Sequence, residues 1–138
     1  MSGGAVRGLG EIALRVDDLD AMEKFYEEVV GLEPMRRFPE VAFFRIAEGF
    51  EGHTQILALF DRSATRGYQG LDAKKTTLDH LAFEISLSDY EEEKKRLKKT
   101  GVKVMQKQFG WVHWRSLFFH DPEGNHVEFV CHDESVQE

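Results

Sequence analysis

The order of secondary-structure signals in this chain occurs twice, and that repetition restricts the architectures open to it more than any single motif does. Residues 9–16 alternate apolar and polar side chains as a strand does, with Glu11, Ala13 and Arg15 on one face. Asp17-Asp18 offers a helix N-cap, and residues 19–30 carry an amphipathic helix through Met22, Phe25, Tyr26 and Val29, closed by Gly31. Short strands are predicted at 33–38, 41–47 and 53–60, separated by Pro39-Glu40 and by the turn from Gly49 to Gly52. Residues 61–75 are polar, contain two glycines, have no clean period and read as a linker or flap. The order then restarts. A strand at 77–85 leads into a charged helix at 88–100, with Ser88 as N-cap, Glu-to-Lys spacing along it and Gly101 at its end. Three strands follow at 102–109, 114–119 and 125–131. Each half is βαβββ.

The halves superpose residue by residue. Glu11-Ile12-Ala13-Leu14-Arg15-Val16 lies over His80-Leu81-Ala82-Phe83-Glu84-Ile85 with an offset of 69, and Gly31 lies over Gly101 with an offset of 70. The predicted fold is α+β: two βαβββ modules, about 8–60 and 76–132, forming one domain over 1–138. Their eight strands are expected to make a curled mixed sheet around a shared cleft. Glu11 and His80 then occupy equivalent places on pseudo-symmetric strands, facing that cleft. Eleven Phe within 41% apolar residues provide enough material for such a core.

The second constraint is a charge where a core residue is expected. Asp121-Pro122-Glu123-Gly124-Asn125 is a turn by composition, because Pro fixes φ, Gly accepts φ > 0, and Asp and Asn bond their own backbone. Apolar runs on both sides make it a β-hairpin. Glu128 sits inside the second run, and an unpaired buried carboxylate costs several kcal/mol. It therefore requires a partner, either a metal ion or a cation such as Arg15 or Arg115. Its counterpart in the first half falls in Thr54-Gln55-Ile56-Leu57-Ala58, where a simple offset sets Ile56 opposite Glu128 and Gln55 is reached by a slip of one residue.

The net charge of −7 disfavours nucleic acid as a partner. The single cysteine, Cys131, cannot close a disulfide within the chain, which points to a reducing compartment; nothing beside it marks a nucleophile. No apolar run approaches the roughly 20 residues of a membrane span. Met1-Ser2-Gly3-Gly4 lacks the features of a signal peptide. A cytoplasmic protein that does not engage membranes is expected.

Taken together, Leu14-Arg15-Val16-Asp17-Asp18-Leu19, Phe25-Tyr26, Gly31-Leu32, Asp79-His80-Leu81-Ala82-Phe83, Asp121-Pro122-Glu123-Gly124-Asn125 and Val127-Glu128-Phe129 resemble the vicinal oxygen chelate superfamily over about residues 9–132. That superfamily includes glyoxalase I, methylmalonyl-CoA epimerase, extradiol dioxygenases, and bleomycin or fosfomycin resistance proteins. The resemblance implies one divalent metal ion (Zn²⁺, Ni²⁺, Mn²⁺, Co²⁺ or Fe²⁺) held by Glu11, His80 and Glu128, with Gln55 as a fourth ligand or, equally, an ordinary hydrogen-bonded strand residue. Two carboxylates and an imidazole neutralise such an ion and leave positions for two vicinal substrate oxygens. Glu128 and Glu11 are then the candidate proton-transfer groups. Arg15, four residues after Glu11, matches a place where glyoxalases hold a substrate carboxylate.

The resemblance thus implies a metal-dependent lyase or isomerase of the glyoxalase or epimerase type, acting on a small carbonyl compound, and a homodimer. Glu11 at the first ligand position departs from a two-His-one-carboxylate site and disfavours a ring-cleaving dioxygenase. The other reading is a non-catalytic binding protein of the bleomycin-resistance kind. The cluster Trp111, His113, Trp114 and Arg115 serves either reading as a pocket wall for a planar or acidic ligand, or is core and edge packing. His126 shares strand parity with Glu128 and either reaches the site or is structural; His53, His120 and His132 are expected to be solvated.

Overall fold

The computed structural model describes residues 4–64 and 77–138. Of the expected linker, residues 65–75 lie outside the described residues. The chain divides into two compact units, Met1–Gly70 and Leu71–Glu138.

In the first unit, β1 (Glu11–Val16) leads into α1 (Leu19–Phe25), followed by β2 (Glu33–Phe38), β3 (Val41–Glu48) and β4 (Thr54–Asp61). The sheet order is β1-β4-β3-β2, with β1 parallel to β4 and the other pairs antiparallel. Asp18 caps α1 as its sequence predicts, accepting a 3.0 Å bond from the Ala21 N–H. The predicted 19–30 helix is α-helical only to Phe25 and then widens into a π-turn over Tyr26–Val30. There the N–H groups of Gly31 and Leu32 both donate to the Tyr26 carbonyl, and Gly31 takes φ 90°, which its missing Cβ permits. The helix packs on β3 and β4, burying Met22, Phe25 and Tyr26 with Phe44, Leu57 and Leu59.

The second unit repeats the plan. β5 (His80–Glu84), α2 (Tyr90–Lys99), β6 (Met105–Phe109), β7 (Trp114–His120) and β8 (His126–His132) give a sheet ordered β5-β8-β7-β6. β5 is parallel to β8, and the remaining pairs are antiparallel. The eight predicted strands are thus all present, divided between two four-stranded sheets that do not close. Ser88 does not cap α2. Its hydroxyl pairs with that of Ser86 at 2.9 Å, Leu87–Asp89 makes a 3₁₀ turn, and the helix starts at Tyr90. β6 begins at Met105, three residues later than predicted, where pairing with Phe118 starts.

Alternation along the strands assigns each side chain to a face. Leu81, Phe83, Leu117, Phe119, Val127, Phe129 and Cys131 are buried with Tyr90 and Leu97 of α2. Burial pushes the Cys131 thiol pKa up, so the side chain is a neutral core group at neutral pH. His80, Ala82, His126, Glu128, Ser116, Phe118 and His120 share the opposite parity. No helix among the described residues is long and apolar enough to cross a membrane.

Two local devices fix the end of this unit. The buried Asp121 carboxylate accepts from the N–H groups of Glu123 (3.0 Å) and Asn125 (2.9 Å) and from Asn125 Nδ2 (2.8 Å), while Gly124 takes φ 85°. After β8, Asp133 accepts from the hydroxyl and backbone N–H of Ser135, then pairs with Arg115 at 3.1 Å. His113 Nδ1–H donates to the Val136 carbonyl at 2.7 Å, and a Cβ at Gly110 would overlap the Gln137–Glu138 backbone.

Two outcomes follow. Asp121→Ala leaves the turn N–H groups without their acceptor and lowers unfolding free energy by about 1–3 kcal/mol in urea titrations. The Ser135 hydroxyl and N–H, with Arg115 and His132 adding, hold the Asp133 carboxyl below the usual carboxylate range. Its contribution is present above the unfolded-state pKa and is lost as pH falls through the lower folded-state value. Ser135→Ala should therefore lose less stability between neutral pH and the acid limb than the parent protein does.

Candidate functional site

The buried carboxylate in β8 is the centre of the second unit's polar chemistry. The Glu128 side chain is 4% exposed. Ser116 Oγ donates to its Oε2 at 2.6 Å, and His80 Nε2 lies 3.1 Å from its Oε1. On the far side of the imidazole, His80 Nδ1 lies 2.7 Å from Asp79 Oδ1. A single line of contacts therefore runs Asp79–His80–Glu128–Ser116 across three strands.

Each member is set by a nearby constraint. His80 is the first residue of β5 and pairs with His126, which brings it diagonal to Glu128. Ser116 pairs with Val130 in β7 and is diagonal to Glu128 from the other side. Tyr90 of α2 donates its hydroxyl to the Ser116 carbonyl at 3.1 Å, so the helix pins the strand segment that holds the carboxylate. Phe118, directly opposite Glu128, packs its ring 6.1 Å from that of His80 and screens the pair. Neither Asp79 nor Ser116 was assigned a role from sequence. Asp79 carried a signal through its position next to His80, whereas Ser116 becomes visible only through the β7–β8 register.

The arrangement fits a cation. His80 Nε2 and Glu128 Oε1 converge to 3.1 Å, a span that a single ion with ligand distances of about 2.1 Å bridges. Asp79 against the other ring nitrogen is the carboxylate–histidine pattern that orients imidazole ligands. Ser116 fixes the carboxylate oxygen left over. Among the described residues, no group of three or more His, Cys, Asp and Glu side chains gathers as a metal cluster.

The remaining predicted residues are placed as follows. Glu11 begins β1 in the first unit and is exposed, in register with Ile56; Arg15, in register with Phe60, is exposed at the same parity. The register corrects the sequence offset. Ile56 holds the place that His126 holds in the second unit, and Ala58 is the counterpart of Glu128, an offset of 70 on the last strand against 69 on the first. Gln55 is out of step with Glu11. It lines a cavity of about 410 Å³ in the first unit with Arg7, Gly10, Glu48, Phe50 and His53. Arg115 does not face Glu128. It pairs in register with Cys131, ion-pairs Asp133 and stacks over the Tyr90 ring at 5.2 Å, on the helix side of the sheet. Alternation turns its neighbour Trp114, 40% exposed, the other way, in step with Ser116. Trp111 is the most exposed member of that cluster.

Two βαβββ units, each with a four-stranded mixed sheet, are the architecture of the glyoxalase-like class of α+β proteins. The chain belongs to the Glyoxalase/Bleomycin resistance protein/Dioxygenase superfamily, whose sequence model matches residues 8–129. It is 34% identical over 101 residues to the cadmium-induced protein CadI of Mycobacterium bovis, an alignment covering 72% of this chain and 57% of that protein. The chain thus spans little more than half the length of the curated relatives it matches. It is similar in structure to a lactoylglutathione lyase from Agrobacterium tumefaciens, with a TM-score of 0.71 and 27% identity over 90% of this chain and 92% of that one. The fosfomycin resistance protein FosX of Listeria monocytogenes shares the fold, with a TM-score of 0.66 and 21% identity over 97% and 100% of the two chains.

If Ser116 holds the buried carboxylate, Ser116→Ala strands Glu128 Oε2 and costs about 1–3 kcal/mol of stability. A double-mutant cycle with Glu128→Gln should return a coupling of about 1 kcal/mol, and additivity would show that the 2.6 Å bond carries no energy.

Proposed function

We propose that this chain is a metal-dependent lyase or isomerase of the glyoxalase type, acting on a small carbonyl compound. The observation that carries the reading is the Glu128 carboxylate, buried yet held 3.1 Å from His80 Nε2 and fixed by Ser116. Members of the superfamily typically use a divalent metal, bind small molecules and often form dimers. The similar structure named as a lactoylglutathione lyase supports this reading.

His80 and Glu128 are the ligands that the second unit offers, while Glu11, the further ligand implied by the resemblance, is an exposed residue of the first unit. When bound, the cation supplies Lewis-acid stabilisation of an enolate oxygen and polarises the substrate carbonyl. Glu128 is the proton-transfer carboxylate of the second unit, acting at the carbon beside that carbonyl through Oε1 when this oxygen is not on a cation. Ser116 holds Glu128 Oε2, which leaves Oε1 turned toward His80 Nε2. Asp79 holds His80 so that Nε2 faces the carboxylate. Trp114 is the candidate substrate contact of the second unit, and Arg15 on the first unit is suited to an anionic group. The chain acts as a homodimer in the cytoplasm, and Gln55 belongs to the cavity wall rather than to the ligand set.

A second reading has one observation in its favour. The cavity beside Gln55 combines Arg7 and Glu48 with the Phe50 ring, and its volume of about 410 Å³ suits a small organic molecule. A binding protein without catalysis would use such a site.

Elemental analysis of dialysed protein separates the two. One equivalent of Zn²⁺, Ni²⁺, Mn²⁺, Co²⁺ or Fe²⁺ is expected, falling at least tenfold in His80→Ala and Glu128→Ala, with isomerase or lyase turnover lost in parallel. Undiminished metal and turnover in His80→Ala would refute the first reading. Ligand binding that survives chelator treatment and needs Phe50 would establish the second.

A further inference from the structure

The β7–β8 hairpin carries a second pair of metal-donor side chains that the reading above leaves unused. His120 and His126 are cross-strand partners, one immediately before the Asp121–Asn125 turn and one immediately after it. The Asp121 N–H donates to the Asn125 carbonyl at 3.0 Å, so the next pair outward, His120 with His126, takes the non-hydrogen-bonded position where facing side chains come closest. Their ring centroids lie 4.2 Å apart at a tilt of 45°, and both residues are exposed.

We propose that His120 and His126 form a two-imidazole chelate for a divalent transition cation of the Cu²⁺, Ni²⁺ or Zn²⁺ type, distinct from the His80–Glu128 pair. Imidazole suits these ions, and affinity across them follows Zn²⁺ < Cu²⁺ and Ni²⁺ < Cu²⁺. The backbone is already organised for the task. The Asp121 carboxylate ties down the turn through three hydrogen bonds, so the strand ends carrying the imidazoles need no ordering when an ion arrives. Exposure leaves the remaining coordination positions to water, which makes this the weaker and more exchangeable site. The net charge of −7 raises the local concentration of cations.

The two donor pairs are separate. His80 is in register with His126, but both of its ring nitrogens face carboxylates, Asp79 at 2.7 Å and Glu128 at 3.1 Å. The Phe118 ring packs 6.1 Å from His80 and 6.3 Å from His126, an apolar plate against both. Loss of one pair therefore leaves the other intact.

The test is calorimetric titration of the metal-free full chain with Ni²⁺, repeated with Cu²⁺ under electron paramagnetic resonance, on the parent protein, His120→Asn, His126→Asn and Glu128→Ala. Circular dichroism confirms that each variant is folded. A weaker binding event is expected in the parent, reduced at least tenfold in both histidine variants and retained in Glu128→Ala, with imidazole nitrogen couplings in the Cu²⁺ spectrum. Retention in Glu128→Ala supports this site even if the His80–Glu128 site proves not to bind metal. An unchanged weaker event in His120→Asn, or no event beyond one lost in Glu128→Ala, overturns the proposal.

Discussion

A carboxylate taken out of water must be compensated where it lies, and Glu128 makes that demand at the middle of β8. Its two oxygens are met from opposite directions, by Ser116 on β7 and by His80 on β5. Both partners reach it diagonally, so the contact set exists only in one register of three strands. A slip of one residue would turn Glu128 to the helix side of the sheet, away from both Ser116 and His80. The buried charge thus specifies the sheet as well as the site. The Tyr90 hydroxyl on the Ser116 carbonyl extends that specification to the helix.

The same alternation separates two kinds of arginine and tryptophan chemistry in β7. Arg115 lies on the helix side, where Tyr90 and Asp133 take up its guanidinium. Trp114 lies on the site side with Ser116 and Phe118. Adjacent residues of one strand therefore serve unrelated purposes, and a cluster that looks continuous in sequence is cut in two by the pleat. Asp133 draws the following residues back toward the His113 turn, where Val136 is buried and Gly110 admits the chain because it has no Cβ.

The histidines of the second unit form a graded series. His80 is held on both nitrogens, His113 and His132 are engaged by the segment after β8, and His120 with His126 face each other across the hairpin base. Family membership and fold bring the first into a functional reading. The pairing of the last two follows from the turn alone, since five turn residues between them fix strand ends opposite each other.

What the sequence determined by itself was the periodic content: the duplicated βαβββ order, the Asp18 cap, the Gly31 closure, the Asp121–Asn125 turn, and the fact that a carboxylate at 128 had to find a partner. Those depend on local backbone preference and on alternation, which are properties of short segments. Offsets carried across the repeat were less secure. The strand register put the counterpart of Glu128 at Ala58 rather than Ile56, two positions along β4, and set Gln55 out of step with Glu11. Ser88 resembled a cap until Ser86 engaged its hydroxyl. Only the tertiary structure decided that Ser116 and His80, rather than an arginine, receive the buried charge. Hydrogen bonds between residues 12 and 48 positions apart depend on strand register, and register is set by packing of the whole sheet rather than by any segment of it.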